Sequence, residues 1–411
     1  MSTHPCCRLC DSPLTDVFVD LGMSPLANSY LRADSLSRME PFYPLRAYVC
    51  SRCMLVQLEE FETPADIFAD YAYFSSYSTS WLEHAERYVH EMVSRFGFCT
   101  QSQVIEIASN DGYLLQYFKA LGVPVLGIEP AQNVARVAVE KGIPTRSCFF
   151  GEQTAQQIAK EGLQADLLIG NNVFAHVPNL HSFTAGLKIA LKPDGVITLE
   201  FPHLLNLMQE AQFDTIYHEH FSYFSLFVVE KVFERHGLRV FDVEELPTHG
   251  GSIRVYGKHR ESVSHTATNR VARVLDKERA YGMGRLDTYR NFAERVKKIK
   301  CDLLEFFVRA RKEGATVVGY GAPAKGNTLL NYCGIGCELL PFTVDRSPYK
   351  QGIYLPGTHI PVRAPEAIES SKPDYVLILP WNLKEEIMQQ MACVRDWGGR
   401  FVVGIPSLQV F

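Results

Sequence analysis

Residues 104–115 read VIEIASNDGYLL, and this stretch decides the fold. Strand-forming residues from Val104 to Ile107 carry one acid, Glu106, near their end. The small polar run Ala108, Ser109, Asn110 and Asp111 then meets Gly112, where an apolar helical pattern opens. A strand passing through a tight turn into a helix is the first half of a βαβ unit. Further short apolar strands are predicted at Val125–Ile128, Leu167–Gly170 and Val196–Phe201, with helices between. This alternation predicts an α/β fold with a largely parallel, doubly wound sheet. Ligands bind at the carboxyl edge of such sheets. At that edge stand Glu106, Ala108, Asn110, Asp111 and Gly112, then Glu129 and Pro130, then Asn171, Asn172 and His176.

The first turn lacks the GxGxxG run that cradles a pyrophosphate. It carries acids and small polar residues instead, which suit a cationic sulfonium nucleoside. An acid ending the second strand, here Glu129, can accept hydrogen bonds from both ribose hydroxyls. S-adenosylmethionine therefore fits this turn better than a dinucleotide.

A second dense stretch is Asp214–Ser225, DTIYHEHFSYFS. Acids, imidazoles and phenols packed this closely suit proton transfer near neutral pH; the competing reading is a polar loop lying on a neighbouring domain. It is predicted as a loop between helices, because Ser225 can cap a helix carrying Leu226, Val229, Val232 and Phe233 that stops at Gly237. Asp70–Ser78, DYAYFSSYS, has a similar composition. A helix then follows on Leu82, Ala85, Val89, Met92, Val93 and Phe96, stopping at Gly97. His249–Gly257 reads as the final strand of the sheet, entered through a glycine pair.

Two CxxC pairs open the chain, Cys7-x-x-Cys10 and Cys50-x-x-Cys53. Two such pairs complete a tetrahedral, structural zinc site with no free position for substrate. Between them lies the turn-rich Leu21–Leu31, LGMSPLANSYL. Near the other end a long helix carries Phe292, Val296, Ile299, Leu303 and Phe307, stopping at Gly314. TVVGYGAPAKGNTLL (residues 316–330) then takes a strand into a helix starting near Asn327. With strands at Phe342–Val344, Tyr375–Leu379 and Phe401–Gly404, this is a second Rossmann-like unit. Its glycines and Lys325 favour an anion such as a phosphate, while tight strand–helix packing is the competing explanation for the glycines.

The chain has 411 residues, 46% hydrophobic and 21% charged, which predicts two or three soluble globular domains. A net charge of −5 and a pI near 6.2 argue against broad nucleic-acid or anionic-membrane binding. No signal peptide and no long apolar run is evident, so a cytoplasmic protein is expected. The eleven cysteines then read as metal ligands and buried thiols.

In order along the chain, the paired CxxC, SPLAN, YFSSYS, EIASNDGYLL, GIEPA, YHEHFSYFS, THGGS and GYGAPAKGN resemble the nucleotide-sugar C-methyltransferases that branch deoxysugars at C3. Asp11 after Cys10, where a glycine is common, and the extra thiol Cys6 are the departures. The resemblance implies a zinc module (1–75), a central class I S-adenosylmethionine methyltransferase domain of Rossmann-like fold (76–265), and linker helices with a C-terminal Rossmann-like domain (266–411). It also implies a nucleoside-diphosphate 4-keto-6-deoxy sugar, usually of dTDP, as substrate; separately, a monomer is expected. His220 is the implied base with Glu219 beside it, Tyr217 and Tyr71 donate hydrogen bonds near the sugar, and Asn172 and His176 support them. His249, Lys325 and Asn327 fall to the substrate. Three other readings stay open: a metal on His218-x-His220, an RNA methyltransferase, and an NAD-dependent oxidoreductase using Asp345.

Overall fold

The computed structural model describes residues 5–63, 74–77 and 79–411. Its strands begin with β1 (Asp16–Ser24), β2 (Tyr43–Val49) and β3 (Val56–Leu58). The middle of the chain supplies β4 (Val104–Ile107), β5 (Val125–Ile128), β6 (Thr145–Arg146), β7 (Ala165–Asn171), β8 (Leu191–Pro202), β9 (Ser222–Tyr223), β10 (Leu238–Leu246) and β11 (Ser252–His259). The last third adds β12 (Val317–Tyr320), β13 (Thr343–Val344), β14 (Val362–Arg363), β15 (Tyr375–Ile378), β16 (Arg400–Val403) and β17 (Gln409–Val410). No helix among the described residues is long and apolar enough to cross a membrane.

The middle sheet has the order β10-β11-β8-β7-β4-β5-β6. Neighbours from β6 to β8 are parallel, and β11 is antiparallel to both β8 and β10. β11 is the last strand of this sheet in chain order, as predicted, and β10, which was not predicted, covers its outer side. The sequence hides β10 because Asp242 sits buried within it, held by Arg95, Thr268 and Arg270. A charge thus stands where alternation asks for an apolar side chain. β4 pairs with β5 through Glu106–Gly127 and Ile107–Ile128, which brings the two following loops side by side.

An N-terminal sheet, β1-β2-β3-β9, is antiparallel throughout. β9 belongs to the Asp214–Ser225 stretch, which is therefore more than the predicted loop: Tyr223 pairs with Val56 and Ser222 with Gln57. Phe221, Tyr223 and Phe224 are all buried, so the aromatics that looked like a loop's are core residues. Each cysteine knuckle closes on a left-handed residue, Asp11 (φ 59°) and Met54 (φ 66°). Asp tolerates that conformation better than most residues, which explains how it stands where a glycine is common.

The C-terminal sheet runs β14-β13-β12-β15-β16-β17, parallel but for β17. Its first helix spans Ala324–Cys333, starting three residues before the predicted Asn327. Pro323 suits a helix start, and Gly326 is packed inside the helix: a Cβ there would stand 3.0 Å from Leu379 Cβ. The long helix Phe292–Lys312 joins the two outer sheets. Phe292 stacks on Phe18 of β1 at 4.5 Å, and one continuous core runs from there through Phe213, Ile216 and Tyr223 to the C-terminal strands. The Asp214–Ser225 stretch is thus fixed by burial shared between both ends of the chain.

Candidate active site

A cleft of about 670 Å³ lies between the carboxyl ends of β4, β5 and β7 and the C-terminal unit. Ala108, Asn110, Glu129, Pro130, Asn171 and Asn172 line it from the sheet. His176, Tyr217, Glu219, His220 and His249 line it from the loops, and Lys325 from the C-terminal unit. Glu106, Asp111, Gly112 and Asn327 are buried and do not line it, and Tyr71 lies outside the described residues.

The turn after β4 is left-handed at Ala108 (φ 55°), Asn110 (φ 50°) and Gly112 (φ 77°). Two non-glycine residues in that region represent strain that surrounding bonds must hold. Glu129 supplies them: Oε2 accepts from the Asn110 N–H at 2.9 Å and Oε1 from the Ala131 N–H at 2.8 Å. Asn110 Oδ1 accepts from the N–H groups of Ser75 and Asp111, both at 2.9 Å. Asp111 takes Lys141 Nζ at 3.0 Å. Burial raises the Glu129 carboxyl above its ordinary range and Glu106 further still. Gly112 serves the turn, since a Cβ there would lie 2.9 Å from Ile143 Cγ1. Each Glu129 oxygen keeps a second lone-pair direction. Among the described residues no Lys or Arg lines the sheet side, so the residues there fit a cationic nucleoside; the two described lysines on the cleft, Lys325 and Lys350, come from the C-terminal unit.

Opposite the turn, His220 Nδ1 bonds the Thr215 carbonyl at 2.9 Å. A carbonyl only accepts, so Nδ1 carries the proton and Nε2 is the basic nitrogen. Its ring lies 4.1 Å from that of Tyr217 and 4.7 Å from that of His176. Burial holds His220 well below the usual imidazole range and His176 down to about 4. Glu219 bonds Asn28, whose Nδ2 donates to Oε1 at 2.8 Å and Oε2 at 3.0 Å. Burial pushes this carboxyl up to about 7. Asn28 belongs to SPLAN, and sequence reasoning gave it no role. His218 turns away and bonds the Pro44 carbonyl at 3.2 Å. Among the described residues only the four cysteines converge as a metal site.

The remaining wall was less legible. Asn172 (φ 53°) donates from Nδ2 to Nε2 of His249 (φ 54°) at 3.3 Å. Trp81 stands edge-on to His249 at 5.4 Å and stacks on His84 at 4.9 Å. His84 donates to buried Glu200 at 3.0 Å, which also accepts from Arg254 and Thr248. An aromatic early in an amphipathic helix reads as core, which is why Trp81 escaped notice. In the C-terminal unit, Lys325 Nζ bonds Asn382 Oδ1 and lies 4.4 Å from the Trp381 ring centre. Lys350 Nζ donates to the Ala322 carbonyl at 2.7 Å. Asp345 braces the same turn, accepting from the N–H groups of Ala322 and Ser347 at 2.8 Å, and does not line the cleft. Asn327 Nδ2 donates to the Ala27 carbonyl at 2.7 Å, tying this unit to SPLAN.

The Sγ atoms of Cys7, Cys10, Cys50 and Cys53 lie within 4.8 Å of one another, with Cys7–Cys53 and Cys10–Cys50 at 3.5 Å. Tetrahedral zinc with about 2.3 Å bonds sets its sulfurs about 3.8 Å apart, so the set fits. Cys6 is exposed and outside the cluster.

Three family models cover the chain: a candidate zinc binding domain over residues 7–68, a methyltransferase domain over 81–243 and a C-methyltransferase C-terminal domain over 247–406. The sequence is 38% identical over 404 residues to C-methyltransferase NovU of Streptomyces niveus, covering 98% of this chain and 96% of that one. The chain belongs to the C-methyltransferase family. A ubiquinone biosynthesis O-methyltransferase of Methylobacterium sp. (strain 4-46) is 29% identical over 97 residues, 23% of this chain and 38% of that one. A solved S-adenosylmethionine-dependent methyltransferase of Anabaena variabilis is 19% identical, with TM-score 0.36 over 44% of this chain and 87% of that one. This C-methyltransferase is S-adenosylmethionine-dependent, its seven-stranded sheet is the class I methyltransferase domain, and its cysteine cluster is the structural zinc site.

Proposed function

We propose that this C-methyltransferase acts at C3 of a nucleoside-diphosphate 4-keto-6-deoxy sugar, of which dTDP is the first nucleotide to test. The observation that carries the reading is His220: a neutral imidazole with its proton fixed on Nδ1 and Nε2 left basic, in one cleft with the acidic turn and the two lysines. A 4-keto group acidifies the hydrogen on C3. His220 Nε2 takes that proton and leaves an enolate, whose oxygen is stabilised by hydrogen bonds from Tyr217 and Tyr71. When bound, S-adenosylmethionine supplies the electrophilic methyl group. Asn110 and Glu129 hold it at the sheet edge, and alignment of the two substrates does much of the rest.

Glu219, on the same cleft and held there by Asn28, orients His220 or shares the proton that it removes. His176 and Asn172 keep the imidazoles in place. Lys325 and Lys350 meet the diphosphate on the C-terminal side, with His249 between the two ends, and the remote nucleotide's binding energy fixes the ring. The labour divides along residues 1–75, 76–265 and 266–411. A panel of nucleotide 4-keto sugars, screened for methyl transfer by mass spectrometry, tests the reading: a gain of one carbon-bound methyl supports it, and transfer to oxygen, or none to any member, removes it.

A further inference from the structure

Three loops of the active site meet on one indole outside the cleft wall. Trp381 follows β15 and is buried. Its Nε1–H donates to Oδ2 of Asp214 at 2.7 Å, and Asp214 is fully enclosed. The next residue, Thr215, offers the carbonyl that holds the His220 Nδ1 proton. The face of the same ring lies under Lys325 Nζ, and Asn382 beside it bonds that ammonium. Its outer edge abuts Gly250: a Cβ there would stand 2.4 Å from Trp381 Cη2, so the left-handed His249–Gly250 turn is seated on the ring.

Filling space would need no particular orientation. A buried N–H aimed at a buried carboxylate, with an ammonium over the ring face, fixes the indole's position and its plane. We propose that Trp381 is a positioning residue that sets two parts of the site together: the Lys325 ammonium, and, through Asp214 and Thr215, the imidazole of His220. The anion-binding end and the base are then held at one separation by a side chain of the C-terminal unit. Burial that lowers Lys325 to about 8 and raises Asp214 to about 6 agrees with a shared, poorly solvated pocket. This inference rests on the roles given above to His220 and Lys325.

The test uses the full-length, zinc-loaded protein without substrate. Trp381→Phe keeps the ring and loses the donor; Asp214→Asn keeps an acceptor, and Asp214→Ala removes it. Solvent exchange of the His220 Nδ1 proton is followed by NMR, with His220→Asn assigning the signal. Exchange should quicken about tenfold in Trp381→Phe and Asp214→Ala, as for loss of one buried hydrogen bond, and stay near wild type in Asp214→Asn. S-adenosylmethionine affinity should hold within about twofold, because the contacts of Trp381 named above, to Asp214, Lys325 and Gly250, lie away from the Asn110–Glu129 turn. Unchanged exchange in both Trp381→Phe and Asp214→Ala overturns the proposal, whatever happens to thermal stability. Since no sugar is present, this result stands apart from the methyl-transfer screen, and either can fail alone.

Discussion

His220 donates its Nδ1 proton to the main-chain carbonyl of Thr215 at 2.9 Å. That contact fixes the proton on Nδ1 and leaves Nε2 as the basic nitrogen, because a carbonyl cannot donate in return. Burial keeps the ring neutral, and a neutral ring needs no deprotonation before it acts. Glu219, its neighbour in the chain, is held instead by Asn28 of the N-terminal module. The site is therefore assembled from all three parts of the chain.

Asn28→Ala should move the pH profile. Asn28 donates to the Glu219 carboxylate and favours its ionised form; burial, the larger effect, already raises it to about 7. Without the donor that value rises further. If the ionised form is needed, the acidic limb of kcat/KM shifts to higher pH by about one unit, the worth of one charge-assisted hydrogen bond. An unmoved limb would assign the limb to another group.

Stability should depend on pH with opposite signs at two sites. His176 is depressed from 6.5 to about 4, chiefly by burial, so the unfolded chain binds its proton first. Wild type should therefore lose stability relative to His176→Gln as pH falls below 6.5. Glu219 is raised from 4.5 to about 7, so the folded chain keeps its proton longer. Wild type should lose stability relative to Glu219→Gln as pH rises from 4.5 to 7, by on the order of 3 kcal/mol in all. Urea unfolding at several pH values reads both differences.

One zinc per chain should be found by elemental analysis, and Cys50→Ala/Cys53→Ala should lose it. β3 begins three residues after Cys53 and pairs with β9, so the loss should also expose the Ser222–Tyr223 amides to hydrogen exchange. Full zinc retention in the double variant would contradict the assignment.

Glu129→Gln keeps the side chain's size but replaces one oxygen that accepts from the turn. S-adenosylmethionine affinity should fall by about 10- to 100-fold by calorimetry, as expected when a buried acceptor becomes a donor. Unchanged affinity would move the ribose site elsewhere.

The parallel strands were legible because their apolar runs are bounded by turns; β4 and β5 agree with prediction residue for residue. β10 was not, because Asp242 interrupts its pattern in favour of buried arginine pairs. β9 was hidden because its pairing partner lies more than 160 positions back, and two residues carry no period. Among site residues, clustered chemistry drew notice: the Asp214–Ser225 stretch, the turn after β4, the cysteine pairs. Asn28 and Trp381 act on that stretch from far along the chain, and nothing near them in sequence advertises it.

The most direct measurement is hydrogen exchange at C3. A nucleoside-diphosphate 4-keto-6-deoxy sugar is incubated with enzyme in deuterium oxide, without methyl donor, and C3 is followed by NMR. Wild type should exchange that hydrogen for deuterium, and His220→Asn should do so about 10²–10⁴-fold more slowly with S-adenosylmethionine affinity nearly intact. Exchange at the wild-type rate in His220→Asn would contradict the account, and would pass the proton to Glu219.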